Sequence, residues 1–326
     1  MLQTINDDFD LQKIADSGQC FRWEKKDEDT YRIINGAECV YVRAVRDGSK
    51  KEKYRNERKI NRRKIGIEAD RNEREISRSG DRTSGRGDKA NRCEYEFDCS
   101  KEVFDSVWHT YFDLDERYEA IRGRIDPVKD PFLWEAAEHE RGIRILRQDP
   151  WEMLITFLIS QNKNIPAIRR SVELLCECCG EKMSDAKGVA YYAFPVPEAV
   201  AALSEDHLKG CSLGYRWKYV KAAAEAVSDK KIDLNDLRDS DEEMTISGLT
   251  KLYGVGLKVA NCISLFGFHH INAFPKDVWV NRILAEKYAD GYPFEEYSPY
   301  NGIYQQYMFA YYRNRENVNI QSRFCE

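Results

Sequence analysis

Short apolar runs typical of strands occupy the first hundred residues of the chain. They are rich in branched and aromatic side chains, partly alternate with polar ones, and predict strands at 20–23, 30–34, 39–42 and 93–97. Because these runs are close together in sequence, we expect them to form a small antiparallel β-sheet domain over residues 1–102.

The apolar positions follow a helical period from about residue 103 onward. Spacing of i, i+3, i+4, i+7 and i+8 predicts one buried helix face, made by Trp151, Leu154, Ile155, Leu158 and Ile159. Further helices are predicted over 166–179, 216–228, 257–267, 278–288 and 300–312. The fold class expected is α+β, with a larger all-helical domain over residues 103–326.

A charged segment, 46–92, interrupts the predicted sheet. It contains 17 Lys or Arg residues and 9 Asp or Glu residues, and its few apolar positions keep no regular period. Such a segment buries too little apolar surface to offset the entropy lost on ordering, so we expect a disordered or partly helical insertion. Two interpretations stay open, a basic arm that contacts nucleic acid phosphates and a solvated linker.

Composition narrows the class of protein. The chain has 326 residues, 42% of them hydrophobic and 33% charged, with a formal net charge of −5. No apolar run approaches the ~18–20 residues of a membrane span, and the acidic N-terminus has no apolar signal core. We therefore expect a soluble, intracellular protein without membrane contact.

Ten cysteines are too sparse for a disulfide scaffold in a chain of this length. The densest group, Cys176, Cys178 and Cys179, has no partner pair at the spacing of zinc or iron–sulfur ligands. We predict reduced thiols on a helix, no metal site and no cofactor.

The most informative stretch is the run L-Y-G-V-G-L-K-V-A-N-C over residues 252–262. Gly254 and Gly256 allow a tight turn between two helices, and their amides would point outward at the start of the second helix. Backbone N–H groups and the positive helix end together favour a bound phosphate.

The run G-V-G-x-K-x-A over 254–260, followed by F-P-K-D-V-W over 274–279, resembles the helix-hairpin-helix (HhH-GPD) DNA glycosylases, specifically the branch of 8-oxoguanine DNA glycosylase/AP lyases. Three other segments match that branch in the same order, namely 18–23 (G-Q-C-F-R-W), 160–165 (S-Q-N-K-N-I) and 213–216 (L-G-Y-R). The resemblance covers nearly the whole chain except the segment 46–92.

The resemblance implies two catalytic residues. The family's nucleophilic lysine falls on Lys258, whose amine must be neutral to attack a sugar carbon. A place in the first helical turn and burial in a nucleotide pocket would both disfavour the ammonium form. The family's catalytic aspartate falls on Asp277, where a carboxylate would stabilise the positive charge that develops on the sugar. From position alone, Lys258 could also be a phosphate contact and Asp277 a helix N-cap.

The resemblance also implies a pocket for the damaged base. Oxidation at C8 turns N7 of guanine from an acceptor into a donor, and the main-chain carbonyl of Gly18 would accept that hydrogen. The base would stack between Cys262 and Phe309, and Gln305 would read its Watson–Crick edge. Gln306 offers a neighbouring register, and Phe309 could instead be a core residue.

Three further residues are implied to contact the DNA duplex. Asn162 would hydrogen-bond the orphaned base, Tyr215 would insert into the base stack, and Arg216 would help to read the orphaned base. Without the resemblance, Tyr215 could simply be an aromatic residue in a turn.

The chain departs from the animal and fungal pattern at Ala167, Trp279 and Tyr253, where arginine, histidine and proline are usual. Loss of the arginine leaves the preference for cytosine opposite the lesion open. The function that the resemblance implies is removal of 8-oxoguanine from duplex DNA, with strand cleavage through a lysine Schiff base. It also implies a monomer that acts in the cytoplasm beside the nucleoid, or in the nucleus of a eukaryotic source. The alternatives are a monofunctional alkylbase glycosylase and a non-catalytic DNA-binding module.

Overall fold

The structure, a computed structural model, describes residues 1–45 and 93–323, with side chains through residue 315. The charged segment 46–92 lies outside the described residues, so its predicted disorder stays a prediction. The antiparallel sheet and the helical region that follows it confirm the predicted α+β fold class.

The N-terminal sheet has five antiparallel strands in the order β1-β5-β4-β3-β2. Three of the four predicted strands are confirmed, whereas the strand expected at 20–23 begins only at Trp23. The first strand was not predicted. The strands are β1 (Leu2–Ile5), β2 (Trp23–Lys25), β3 (Thr30–Asn35), β4 (Glu38–Val45) and β5 (Cys93–Phe97), with helix α1 (Leu11–Asp16) between β1 and β2.

One face of the sheet packs on the helical segment α2 (101–111), whose central turn, Phe104–Trp108, is π-helical. The rings of Phe97 and Phe104 pack edge to face, with 4.9 Å between their centroids. Trp23 packs against Tyr111, to whose hydroxyl its indole N–H donates at 2.8 Å. The core of the sheet domain therefore includes side chains just beyond residue 102, the predicted domain boundary, and that boundary stays a prediction.

The rest of the chain is mainly helical, apart from a hairpin of β6 and β7 that was not predicted. No helix in the described part is long and apolar enough to cross a membrane. The elements are α3 (Tyr118–Arg122), α4 (Pro131–His139), α5 (Pro150–Ser160), α6 (Ile165–Cys179), β6 (Lys182–Ser184), β7 (Ala190–Tyr192), α7 (Pro197–Ala201), α8 (Glu205–Gly210), a 3₁₀ turn (Gly214–Arg216), α9 (Trp217–Ser228), α10 (Leu234–Arg238), α11 (Glu242–Leu249), α12 (Leu257–Phe266), α13 (Val278–Lys287), α14 (Phe294–Tyr297) and α15 (Asn301–Arg323).

Helix α5 is the centre of the helical domain. The sequence predicts one buried face, but every residue from Pro150 to Ile159 is buried. Helices α6, α9 and α12 all pack against α5, which explains why its polar positions are covered as well. The prediction of a single buried face was wrong because periodicity shows where apolar residues repeat, not how many neighbours surround them.

Arg22 and Glu152 join the sheet to the helical domain. The Nε atom of Arg22 donates to Glu173 on α6 at 2.8 Å, and its Nη2 donates to the carbonyl of Tyr192 at 2.6 Å. Burial raises the pKa of Glu152 to about 7, although the charge of Arg22 opposes the shift. The junction therefore holds a carboxyl group that gains its charge near neutral pH.

We predict that Glu152 makes folding less stable as the pH rises. Its pKa is higher in the folded state than in the unfolded chain, so the folded state holds the extra proton and stability declines between about pH 4.5 and 7. In Glu152→Gln this decline, at most ~3 kcal/mol, should be smaller. Urea unfolding from pH 5 to 8 measures it, with Glu243→Gln on the exposed face of α11 as the control. Parallel pH profiles for wild type and Glu152→Gln would contradict the prediction.

Candidate active site

The turn between α11 and α12 is the predicted hairpin. Gly254 has φ of +87°, and a Cβ atom there would lie 2.4 Å from Cγ of Tyr219 on α9. Its carbonyl accepts a hydrogen bond from Nε2 of Gln161 at 3.1 Å. Gly256 is the N-cap of α12 without a side-chain cap, and a Cβ there would meet no atom within 4 Å. The tight turn is confirmed, and no side chain caps the helix that begins at its end.

Lys258 lies in the first turn of α12 and is exposed in the free protein. Its expected burial in a nucleotide pocket stays a prediction. Its Nζ atom lies 5.8 Å from the ring centroid of Phe157. Burial raises the pKa of the Cys262 thiol one turn further on, whereas the charge and the hydrogen bond of Lys258 lower it. The amine thus lies near Phe157 and Cys262 but stays open to solvent.

Asp277 is the N-cap of α13, as its position before that helix predicted. Its Oδ1 atom accepts a hydrogen bond from the backbone N–H of Val280 at 2.8 Å. The charge of Asp277 raises the pKa of Cys262, whereas that of Lys258 lowers it. Asp277 and Lys258, at the starts of two successive helices, therefore act in opposite directions on one thiol.

Gly18 lies in a turn of the N-terminal domain and has φ of +84°. The adjacent Gln19 is fully buried, donates to the carbonyl of Arg144 and accepts from the N–H of Leu146, both at 2.8 Å. A Cβ atom on Gly18 would lie 3.8 Å from Cε1 of Phe309 on α15. The structure thus brings a rigidly held backbone turn against an aromatic ring more than 290 residues away in sequence.

Gln305 and Phe309 lie one turn apart on α15. Gln305 is buried and accepts a hydrogen bond from Nε2 of Gln306 at 2.9 Å. Phe309 is half-buried and packs at the edge of the helical core. Both glutamines are buried, so the choice between their two registers stays a prediction. We call Gly18, Cys262, Gln305 and Phe309, the four residues predicted to hold the damaged base, the base pocket.

A cavity of about 630 Å³ opens beside Lys258, in the size range of small-molecule sites. Its lining includes Asn261, Phe274, Lys276 and Phe294, but none of the four residues of the base pocket. Lys258 therefore contacts open space large enough for part of a nucleotide.

Asn162, Tyr215 and Arg216 lie on two neighbouring loops. Asn162 is exposed with φ of +50°, and the Tyr215 side chain is 52% exposed. Arg216 is buried and donates to the carbonyls of Gln161 at 2.5 Å, Asn162 at 3.0 Å and Leu213 at 3.3 Å. In the free protein Arg216 thus holds the two loops together, and its expected part in reading a base stays a prediction.

Sequence reasoning missed four residues of this region. Lys163 donates to the carbonyl of Ser212 at 2.6 Å, and Tyr219 packs between Tyr215 and Tyr253. The others are Phe157, beneath Lys258, and Arg313, whose Cζ atom lies 5.0 Å from the ring centroid of Phe309. Only Arg313 had a signal in the sequence, since it continues the spacing of Gln305 and Phe309 by one more turn.

Two of the three departures from the family pattern have visible partners. Trp279 contacts the ring of Tyr312 at 6.3 Å, and Tyr253 contacts that of Tyr219 at 5.0 Å between centroids. Ala167 is in the first turn of α6, where its backbone N–H donates to the Asn164 side chain at 2.9 Å.

The cysteines predicted as thiols on a helix, Cys176, Cys178 and Cys179, are free and lie on α6.

A sheet domain followed by a helical hairpin, with a lysine and an aspartate facing one thiol, defines a protein of the helix-hairpin-helix class. The family model of the 8-oxoguanine DNA glycosylase N-terminal domain matches residues 1–154. The model of the HhH-GPD superfamily base excision DNA repair protein matches residues 155–291. The chain belongs to the 8-oxoguanine DNA glycosylase family of the HhH-GPD superfamily, which confirms the resemblance found in the sequence.

Two curated proteins similar to this chain are N-glycosylase/DNA lyases. An N-glycosylase/DNA lyase of Saccharomyces cerevisiae is 38% identical over 159 residues, 45% of this chain and 42% of the relative. The N-glycosylase/DNA lyase OGG1 of Arabidopsis thaliana is 37% identical over 161 residues, 48% of this chain and 44% of the relative. The matched regions therefore span less than half the length of these curated relatives.

Among solved structures, the 8-oxoguanine glycosylase/lyase of Clostridium acetobutylicum, bound to double-stranded DNA with cytosine opposite 8-oxoG, has a TM-score of 0.75 and 28% identity. The match covers 97% of this chain and 98% of that one. A 3-methyladenine DNA glycosylase from Archaeoglobus fulgidus, at 16% identity and a TM-score of 0.63, shares the fold.

We predict that the two hairpin glycines differ in their tolerance of a side chain. Gly254→Ala should lower the free energy of unfolding by roughly 2–4 kcal/mol, because the new Cβ would overlap Tyr219 in a backbone conformation unfavourable to alanine. Gly256→Ala, where space is open, should change it by less than about 1 kcal/mol. Urea denaturation of both variants measures the difference, and equal losses would contradict this account of the turn.

Proposed function

We propose that this protein is a bifunctional DNA N-glycosylase and AP lyase that removes 8-oxoguanine from double-stranded DNA. The observation that carries the proposal is the place of Lys258, exposed in the first turn of α12 beside a cavity of about 630 Å³, with Asp277 at the N-cap of the next helix. A non-catalytic DNA-binding module would need neither the amine nor the carboxylate at that point. The whole-length similarity to an 8-oxoguanine glycosylase/lyase supports the same substrate.

In this proposal Lys258 is the nucleophile. The amine attacks C1′ of the damaged nucleotide, and the base departs with the electron pair of its glycosidic bond. The C1′–O4′ bond then opens, O4′ takes up a proton, and the lysine is left joined to the sugar as a Schiff base. Loss of a proton from C2′ then expels the 3′ phosphate and nicks the strand. Since Lys258 is exposed in the free protein, bound DNA must enclose the amine for the reaction.

Asp277 stabilises the positive charge that builds on the sugar as the base leaves. Its role as N-cap of α13 holds one oxygen in place, so the carboxylate needs little reorganisation during the reaction. The cap and the catalytic role are therefore compatible.

The base pocket selects the oxidised base. The carbonyl of Gly18 accepts a hydrogen bond from N7–H, which 8-oxoguanine has and guanine lacks. Phe309 and Cys262 stack on the two faces of the ring, and Gln305 reads its Watson–Crick edge. The buried anchor of Gln19 keeps the Gly18 carbonyl fixed, as a selection that depends on one hydrogen bond requires.

The rest of the duplex binds around the two loops and the hairpin. The uncapped amides after Gly254 and Gly256 bind a backbone phosphate at the positive end of α12. Asn162 pairs with the orphaned base, and Tyr215 enters the base stack from its exposed position. Arg216 holds the two loops that carry these residues through its hydrogen bonds to the carbonyls of Asn162 and Leu213. We propose that the protein acts as a monomer, and the compartment in which it acts stays a prediction.

Trapping with borohydride on a duplex containing 8-oxoguanine tests the chemistry. The wild type should form a covalent adduct with DNA, and Lys258→Gln should form none, because only a Schiff base is reduced to a stable amine. Lys276→Gln, which changes another lysine at the same cavity, should keep the adduct. Base release without any trapped adduct would favour a monofunctional glycosylase, and binding without base release would favour a DNA-binding module.

A second prediction concerns the exposed Tyr215. Tyr215→Ala should slow base release from duplex DNA by roughly 10-fold, because loss of one stacking contact removes ~1–3 kcal/mol. Single-stranded substrate has no stack to open, so its loss should be far smaller. Single-turnover rates on the two substrates measure the contrast, and equal losses would show that Tyr215 is not a wedge.

A further inference from the structure

Arg313 lies one helical turn beyond Phe309 on α15 and reaches into the base pocket. Helical side chains lean toward the N-terminus, so the guanidinium returns over the Phe309 ring, with Cζ 5.0 Å from the ring centroid. Its Nη1 atom is 3.7 Å from the position of a Cβ on Gly18. Its Nη2 atom donates to the main-chain carbonyl of Asp16. One cation therefore contacts both the aromatic wall and the backbone turn of the pocket.

The surroundings of Arg313 are unusual for a structural arginine. Burial lowers the pKa of its guanidinium, and the charges of Asp16, Glu140 and Asp277 oppose that shift. Arginine stays protonated in proteins nonetheless, so the pocket holds a permanent positive charge. Among the residues that the structure describes, its hydrogen bond goes to a carbonyl and it forms no ion pair with a carboxylate.

Arg315 offers a comparison on the same helix. Its guanidinium also lies over an aromatic ring, that of Tyr311, at 5.1 Å. It donates to the Tyr311 hydroxyl and lies 3.9 Å from a carboxylate oxygen of Glu135, on the exposed surface. Two arginines of similar local geometry therefore differ chiefly in whether they face the base pocket.

A cation in this position suits the chemistry of the departing base. When the bond between C1′ and N9 breaks, its electron pair leaves with the base, and the negative charge spreads over the ring nitrogens and carbonyl oxygens. The amine of Lys258 forms the new bond to C1′ and gives up a proton, and the base takes up a proton in turn. A fixed guanidinium beside the ring stabilises the anion during this step.

We propose that Arg313 is a catalytic residue that binds the flipped base and stabilises the negative charge the base acquires as its bond to the sugar breaks. The inference rests on the proposed function and adds a group that acts on the leaving base, whereas Lys258 and Asp277 act on the sugar. It follows that Arg313 has no part in strand cleavage once the base is gone.

The experiment compares two substrates in single-turnover reactions, a duplex with 8-oxoguanine and a duplex with a preformed abasic site. Arg313→Met, which keeps the length but removes the charge, should slow base release by ~10²-fold, as loss of one preorganised donor does elsewhere. Its cleavage of the abasic strand should stay within about 3-fold of wild type, since no base remains to be stabilised. Arg313→Lys should recover part of the rate, and Arg315→Met should behave as wild type on both substrates.

Two outcomes would overturn the role of Arg313. Base release by Arg313→Met at the wild-type rate or faster would show that the arginine only fills the empty pocket. Equal losses on both substrates would show that it supports the fold. Failure of the proposed function is a separate result, because it would appear as wild-type protein that neither releases the base nor forms an adduct through Lys258.

Discussion

The ring of Tyr219 lies against the backbone of Gly254, in space that any side chain at that position would need. This contact fixes where α12 begins and therefore where Lys258 leaves the helix. Gln161 holds the same turn through its hydrogen bond to the Gly254 carbonyl, and Arg216 ties the carbonyl of Gln161 to the loop that carries Tyr215. The proposed nucleophile and the proposed wedge are thus positioned by one connected set of contacts, mostly to backbone carbonyls.

Charge is organised locally rather than over the whole protein. The formal net charge is −5, yet exposed charges act over only ~8–10 Å at physiological salt. Around the base pocket lie the cations Lys258 and Arg313, and the charges of Asp16, Glu140 and Asp277 all act on Arg313. The division of labour that we propose follows from this arrangement, because a breaking glycosidic bond leaves positive charge on the sugar and negative charge on the base.

Much of the fold was visible in the sequence, since periodic apolar positions predicted the helices that carry Lys258, Asp277 and Phe309. The errors have physical causes. Helix α5 is buried on all sides because three other helices pack on it, which its own period does not reveal. The short strands β6 and β7 have too few residues to show an alternating pattern.

The sequence by itself determined the family and the identity of the chemical groups, because ordered motifs place a lysine, an aspartate and a pair of glycines at spacings that local backbone geometry requires. Only the tertiary structure decided which of those groups meet. Gly18 and Phe309 are far apart along the chain, and no local rule links them, so their contact depends on the packing of the sheet domain against α15. The same holds for Arg313. In the sequence it is one charged residue among many, and only the tertiary structure places it beside Gly18 and Asp16.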